Sequence, residues 1–187
     1  MESTDSEKLI QLYEKANGHL ANEQYNESLE IFEYLLKFAP DAAFLLYGKA
    51  SSLGGLGKFK DSILWFDKTI QAEPDNFNAI WNKGWTLANL KRYEEAIVCY
   101  YNALKIKPNY FHTLRDKGCA LYNLGKFKDS ILWFDKALGI NPENSFVLFS
   151  KSNALSNIGK TDEVKQYFKK ANVKFDPKTS TFIGENP

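Results

Sequence analysis

Histidine and cysteine are scarce in this chain, two of each among 187 residues, which removes most metal and redox chemistry at the outset. His19 and His112 belong to distant stretches. Cys99 and Cys119 have neither the number nor the spacing of a disulfide framework or a zinc site, and as buried thiols they suit a reducing interior. His112 and Cys119 are two helical turns apart, about 10.5 Å in rise, too far to share a metal. An excess of charge of one sign is also missing: 24 Lys and Arg against 23 Asp and Glu give a net charge of +1. A field that would draw nucleic acid or an anionic membrane is therefore not expected. No apolar run reaches the 18 or so residues that a membrane span needs. The polar, acidic start MESTDSEKLI leads us to expect no secretory signal. A cytoplasmic protein without membrane or nucleic-acid partners is the expectation.

Catalytic signatures are missing too. No pattern sets a nucleophile beside a base or groups metal ligands, so neither an enzyme nor a bound cofactor or metal is expected. Gly54-Gly55-Leu56-Gly57 invites a phosphate-loop reading, yet it lacks the Lys-Ser/Thr of that motif and sits at a helix end instead of after a strand.

What the chain does have is a repeat. Leu56–Lys68, LGKFKDSILWFDK, returns unchanged at Leu124–Lys136, two periods of 34 residues later. Pro40, Pro74, Pro108 and Pro142 keep the same period without insertion or deletion. A period in this range means a stack of identical supersecondary units. Thr4-Asp5-Ser6-Glu7 has capping-box spacing, so the first helix should begin near Asp5. Leu9, Leu12 and Ala16 follow helical spacing, Glu23-Gln24 reads as a turn, and a second helix should run from about Asn26 to Lys37. Phe38-Ala39-Pro40-Asp41 ends it, because proline disfavours helix in the residue before it and lacks an N–H.

This unit recurs at about 9–42, 43–76, 77–110, 111–144 and 145–178. Its inner turn falls at Gly57-Lys58, Lys91-Arg92, Gly125-Lys126 and Gly159-Lys160, where glycine is a natural helix C-cap. Aromatic residues follow the turn at Tyr25, Phe59, Tyr93 and Phe127, and a second aromatic column is Phe32, Phe66, Tyr100, Phe134 and Phe168. Small residues at Ala16, Ala50, Gly84, Gly118 and Ser152 in the first helices, and Ser28, Ser62, Ala96 and Ser130 in the second, permit close helix crossings.

With these columns the sequence resembles the tetratricopeptide repeat over nearly all of its length. The resemblance implies an all-α, right-handed superhelical solenoid of antiparallel helix pairs over residues 1–178, with first helices lining its concave side. It implies a scaffold or adaptor that binds protein. The fifth unit departs from the pattern at Thr161, Val164, Lys165 and Asn172, and its proline, Pro177, comes one residue late. A polar last helix carrying Lys165, Gln166, Lys169, Lys170 and Asn172 suits an end that no further repeat covers. The tail 179–187 is polar and expected to be flexible. A second departure is a lysine in every first helix: Lys15, Lys49, Lys83, Lys117 and Lys151. These are expected to lay their stems on apolar surface and their charges in water; the alternative is a functional basic rail.

Aromatic residues beyond the needs of a core point to the binding face. Ile80, Gly84 and Leu87 follow i, i+4, i+7 toward the partner helix, and Trp81 and Trp85 lie about 100° away from them. The Trp81 column reads Tyr13, Tyr47, Trp81, Arg115, Phe149; the Trp85 column reads Asn17, Ser51, Trp85, Cys119, Asn153. Asn78, Asn82, Asn89, His112 and Tyr122 belong to the same side, with Asn123 and Asn157. Aromatic anchors with amides suit an extended peptide, Tyr, Trp and Arg being enriched among interface hot spots. Packing between neighbouring first helices is the competing role for the aromatics.

Gly48, Gly54 and Gly55 share that side with Ser51. Each helical glycine costs about 1 kcal/mol relative to alanine, so either a partner side chain approaches closely there or the helix frays early. On the first view alanine at Gly54 and Gly55 should raise stability and lower affinity. The two-carboxylate clamp by which some tetratricopeptide proteins hold heat-shock chaperone tails is absent in every register: Tyr13, Asn17, Gly48, Asn78 and Asn82 in the first match it only at Asn17. Chaperone tails are thus not expected partners. Leu64, Val98 and Leu132 recur on the second helices beside Tyr101, leaving self-association as the alternative function.

Overall fold

The computed structural model describes the backbone of residues 3–170, 173–176 and 181–184, and side chains of residues 6–170. Among these lie ten helices: α1 (Ser3–Ala21), α2 (Tyr25–Leu35), α3 (Ala43–Gly55), α4 (Phe59–Ala72), α5 (Phe77–Asn89), α6 (Tyr93–Ile106), α7 (Phe111–Asn123), α8 (Phe127–Ile140), α9 (Ser145–Asn157) and α10 (Thr161–Lys170). They form five hairpins, each odd-numbered helix packing on the helix that follows it. The chain divides into two compact units, Met1–Ile106 and Lys107–Pro187. The first holds α1–α6. The second holds α7–α10 and two short strands.

Every hairpin turns in the same way. Glu23, Gly57, Lys91, Gly125 and Gly159 all adopt left-handed φ, at 59°, 71°, 59°, 73° and 78°. Each donates its amide three residues back, and the next amide reaches five residues back, as in Gly57 N–H to Gly54 O and Lys58 N–H to Leu53 O. This pair of bonds is the Schellman motif, which satisfies carbonyls that the helix end would leave orphaned. The glycine turns are as expected; Glu23 and Lys91 hold the same conformation against the steric cost of a Cβ.

Helix ends differ slightly from the sequence reading. α1 already includes Ser3, so Thr4 lies inside the helix and the capping box at Thr4–Glu7 is not its start. α2 spans Tyr25–Leu35 and gives way to a turn through Phe38. Asn76 and Asn144 cap α5 and α9, their side chains accepting the amides of Ala79 and Val147.

Between paired helices the aromatic column rests on the small one. Phe32, Phe66, Tyr100 and Phe134 are buried at 0–2% exposure. A Cβ at Gly84 would come within 2.8 Å of the Tyr100 ring, and one at Gly118 within 2.7 Å of Phe134. Hydroxyls join the same seam, Ser28 donating to Ala16 O and Ser62 to Ala50 O. Ile80 and Leu87 are buried as their spacing predicts.

The lysine column corrects the sequence reading: it does not simply extend into water. Lys49, Lys83 and Lys151 reach back to the preceding second helix and pair with Glu33 at 2.8 Å, Asp67 at 2.5 Å and Asp135 at 2.5 Å, while Lys15 is exposed. Each staples a hairpin to the one before. Indole faces receive further ammonium groups: Lys49 and Lys68 lie 4.0 and 3.9 Å from the Trp65 centroid, Lys117 and Lys136 lie 3.9 and 4.1 Å from that of Trp133. Cation–π contacts of this kind favour the charged form most where water is excluded. Sixteen residues before Lys117, where the other staples have an acid, the sequence has Tyr101. Burial, with help from the Lys136 charge, holds the Lys117 amine below the usual lysine range. In Lys151 burial acts in the same direction, but hydrogen bonds to Asp135 and Tyr167 outweigh it and raise the pKa.

The last helix keeps the hairpin turn although its sequence diverges. No α10 residue is buried, Lys165, Gln166, Lys169 and Lys170 are exposed, and the Phe168 ring packs on Phe149 at 5.8 Å. Asn172 lies outside the described residues. Beyond α10, β1 (Val173–Asp176) and β2 (Thr181–Gly184) pair antiparallel with Phe175 opposite Phe182. The flexible tail expected over 179–187 is thus a strand over 181–184, the remaining residues of that stretch lying outside the described ones. Val173, Phe175, Thr181, Phe182 and Ile183 are β-branched or aromatic, types that favour strands; the polar count of the tail concealed this.

Two expectations follow. Lys91→Gly should relieve the left-handed strain and stabilise the protein by about 0.5–1 kcal/mol, while Gly125→Ala should cost about 1 kcal/mol, read as shifts in urea midpoint at constant slope. Lys151→Met should cost about 1–2 kcal/mol, because it removes charged hydrogen bonds to Asp135 and Tyr167. The sign with pH is fixed by the raised Lys151 value. Its contribution is complete below the unfolded lysine pKa and fades as pH rises through the folded one, so wild type and Lys151→Met should converge in strongly alkaline urea titrations.

Candidate functional site

The first helices of successive hairpins touch within each unit, α1 with α3 and α3 with α5 in one, α7 with α9 in the other. Their side chains that turn from the partner helix make a common face. The fourteen residues expected there are all exposed or half-buried, none fully enclosed. In the first unit these are Tyr13, Asn17, Tyr47, Ser51, Asn78, Trp81, Asn82, Trp85 and Asn89. In the second they are His112, Arg115, Tyr122, Phe149 and Asn153.

Several of the aromatics serve packing and surface at once. Tyr13 meets Phe44 edge-on at 5.0 Å and Phe32 at 6.3 Å, and Tyr47 meets Phe66 at 5.9 Å. The Trp85 ring is open, 42% exposed, with an edge contact to Phe59 at 6.2 Å. In the second unit Tyr122 contacts Phe127 at 5.3 Å, and Arg115 lies 5.9 Å from the Phe146 ring while paired with Asp116 at 2.8 Å. The Arg115 charge is therefore partly spent within the chain.

The amides are not idle donors. The side chains of Asn17, Asn89, Asn123 and Asn157 each donate Nδ2–H to the carbonyl four residues earlier in their own helix. Asn82 donates instead to the Tyr47 hydroxyl at 2.9 Å, a link between α5 and α3. Because a carbonyl can only be met by the NH₂ end, the amide orientation of these four is fixed chemically.

Sequence reasoning missed how the glycines of α3 are used. A Cβ at Gly48 would stand 2.2 Å from the Phe32 ring and one at Gly55 2.3 Å from the Tyr25 ring, while at Gly54 it would meet Ser62 Oγ at 3.2 Å. The chain's own rings claim the space that was expected to admit a partner side chain. The helix does not fray early either, since α3 continues to Gly55. Yet the Tyr25 ring helps wall a recess of about 240 Å³ lined by Leu20, Tyr25, Tyr47, Ser51, Gly54, Gly55, Phe66, Asn82, Trp85 and Thr86. Ser51 Oγ, on its wall, is buried without a hydrogen-bond partner, an unsatisfied group that costs about 1–3 kcal/mol until something bonds it. Tyr25 and Leu20 come from the preceding α1–α2 hairpin and lie outside the columns of Trp81 and Trp85.

A second cavity of about 420 Å³ opens at the other end of α3, lined by Leu9, Ile10, Tyr13, Leu35, Phe38, Ala39, Phe44 and Leu45. Ile10, Phe38 and Phe44 are 58%, 54% and 52% exposed. Chemistry of other kinds finds no support among the described residues. Three or more metal-ligating side chains come together nowhere, and no helix is long and apolar enough to cross a membrane. Burial pushes the Cys119 thiol up to about 12 and raises that of Cys99, which leaves both protonated and poor nucleophiles.

The Gly55 contact reverses the stability expected from helix propensity. Gly55→Ala should destabilise, because the Tyr25 ring must move, and Tyr25→Ala should remove most of that penalty in a double-mutant cycle followed by urea denaturation.

Comparison with known proteins places this architecture. Models of the tetratricopeptide repeat match residues 13–76, 82–110 and 116–144. The matches end before the fifth hairpin, whose sequence diverges. Curated protein sequences yield no significant match. Among solved structures, MamA MSR-1 superposes with a TM-score of 0.78 at 22% identity, covering 88% of this chain and 95% of its own. MamA from residue 41 to its end, from Desulfovibrio magneticus RS-1, gives 0.83 at 19% identity, covering 88% and 93%. At such identity the likeness concerns the fold. With hairpins, turns and columns agreeing over most of its length, the chain belongs to the tetratricopeptide repeat family and is a protein-interaction module.

Proposed function

We propose that this protein is a non-catalytic scaffold or adaptor that holds an extended segment of a partner protein on the first-helix face. The observation that carries this reading is the recess beside Trp85. It combines an open indole, two tyrosine rings and a buried Ser51 hydroxyl that lacks a hydrogen bond. A side chain from a partner would cover the open indole ring. Asn17 and Asn89 each use one N–H on their own helix, and their Oδ1 acceptors suit peptide N–H groups, which an extended strand presents at regular intervals. The even charge balance supports protein over nucleic acid as partner, and the missing Lys and Arg clamp argues against chaperone tails. Two free thiols held protonated by burial fit a reducing, cytoplasmic setting.

Self-association through the outer face is the second reading. Leu64, Val98 and Leu132 are 56%, 59% and 59% exposed, more apolar surface than an outer helix row requires.

Selection from a random twelve-residue peptide library on phage, followed by anisotropy titration of the selected synthetic peptides, tests the groove. Trp85→Ala should weaken binding about tenfold or more, as for an aromatic hot spot. Selected peptides that bind wild type and Trp85→Ala equally would sink it. Light scattering of the same samples over a dilution series reads the alternative directly: mass that rises with concentration and falls with Leu64→Lys/Val98→Lys supports it.

A further inference from the structure

The exposed stripe of α6 is complementary to itself when turned end for end, and we infer that it docks against α6 of a second copy of this chain, antiparallel and about a two-fold axis. This inference rests on the outer-face reading above, names the surface which that reading needs, and leaves the groove untouched. Glu94, Val98, Tyr101 and Lys105 are all exposed, the two central side chains at 59% and 53%. Their spacing of four, three and four residues holds them within about 60° of the helix circumference, the pattern of a coiled-coil seam. An acid stands in the first turn, a base in the last, and Val98 and Tyr101 between them.

Register follows from those positions. A two-fold axis midway between Val98 and Tyr101 sets Val98 of one copy opposite Tyr101 of the other, and Glu94 of one opposite Lys105 of the other. The facing members stand at equal distances from the axis, about 2 Å along the helix for the inner pairs and about 8 Å for the outer. Each ring meets a valine, and each carboxylate meets an ammonium. Lys105 already lies over the Tyr101 ring of its own helix, 4.6 Å from the centroid, so its charge is held beside the seam. Parallel pairing is disfavoured, because it sets Glu94 against Glu94 and Lys105 against Lys105.

The same rotation gives no match on the neighbouring outer helices. At the equivalent positions α4 has Lys60, Leu64, Asp67 and Gln71, and α8 has Lys128, Leu132, Asp135 and Gly139. Turned end for end, leucine meets aspartate, and those aspartates already pair with Lys83 and Lys151. The helix macrodipole also favours an acid in the first turn and a base in the last, yet α4 and α8 form with Lys60 and Lys128 in the place of Glu94. A seam along one helix of 14 residues, about 21 Å, lies at the small end of specific interfaces. Association therefore belongs to high protein concentration.

Sedimentation equilibrium of the full chain in low salt, over a dilution series, tests the pairing. Wild type should approach the dimer mass at the highest concentrations, and added salt should weaken it. E94K and K105E each bring like charges together at both ends of the seam and should weaken association about tenfold or more. The double variant E94K/K105E, and an equimolar mixture of the two single variants, restore opposite charges and should recover wild-type association to within about threefold. Circular dichroism confirms that each variant is folded, and recovery in the mixture shows that neither single variant has lost its surface. Single variants that associate like wild type, or a loss that neither the double variant nor the mixture recovers, overturn the inference. The outer-face reading fails differently: wild type that stays monomeric at every concentration ends both, whereas a dimer broken by Leu64→Lys and indifferent to E94K ends only the α6 pairing.

Discussion

The structure depends on one steric fit: an aromatic ring from each second helix seated against a small residue of the first. Tyr100 on Gly84 and Phe134 on Gly118 leave no room for even a methyl group. Close approach of two backbones fixes how the helices cross, and the crossing fixes which side chains face inward. Everything outside that seam inherits its direction from it. Interiors packed at crystal-like density have little freedom to accommodate a different rotation.

The charged groups then follow from the hairpin stack. Lysines at equivalent positions of α3, α5 and α9 are drawn to acids on the helix before, where they join hairpins. Lys117 and Lys151 show that identical columns need not behave identically. Both are nearly enclosed; at Lys151 hydrogen bonds to Asp135 and the Tyr167 hydroxyl outweigh burial, whereas at Lys117 burial and the Lys136 charge prevail, and their pKa values move in opposite directions.

The duplicated block Leu56–Lys68 and Leu124–Lys136 acquires a physical meaning in this light. It contains the left-handed glycine, the seam serine and ring, and the Trp and Lys of the stacked pair, all of them framework. Divergence lies in the first helices, where Tyr47, Gly48 and Ser51 of one copy face Arg115, Asp116 and Cys119 of the other. A face with fewer framework duties is where recognition can vary.

Much of this was legible in the residues themselves. The period of 34, the turn positions, and the small and aromatic columns determined ten helices in five hairpins, because local sterics and helix periodicity act between residues near in sequence. That Glu23 and Lys91 stand at hairpin turns followed from the repeat; their left-handed φ is seen only in the structure. Other features needed the folded chain. Gly55 is small because of Tyr25, a ring from the preceding hairpin; the lysines are withdrawn because of acids sixteen residues away; and the recess exists because three hairpins meet around Ser51. Sequence alone determined which residues could reach the surface of the first helices. Only tertiary structure decided which of them meet, because contact across hairpins depends on distances and crossing directions that no single helix contains.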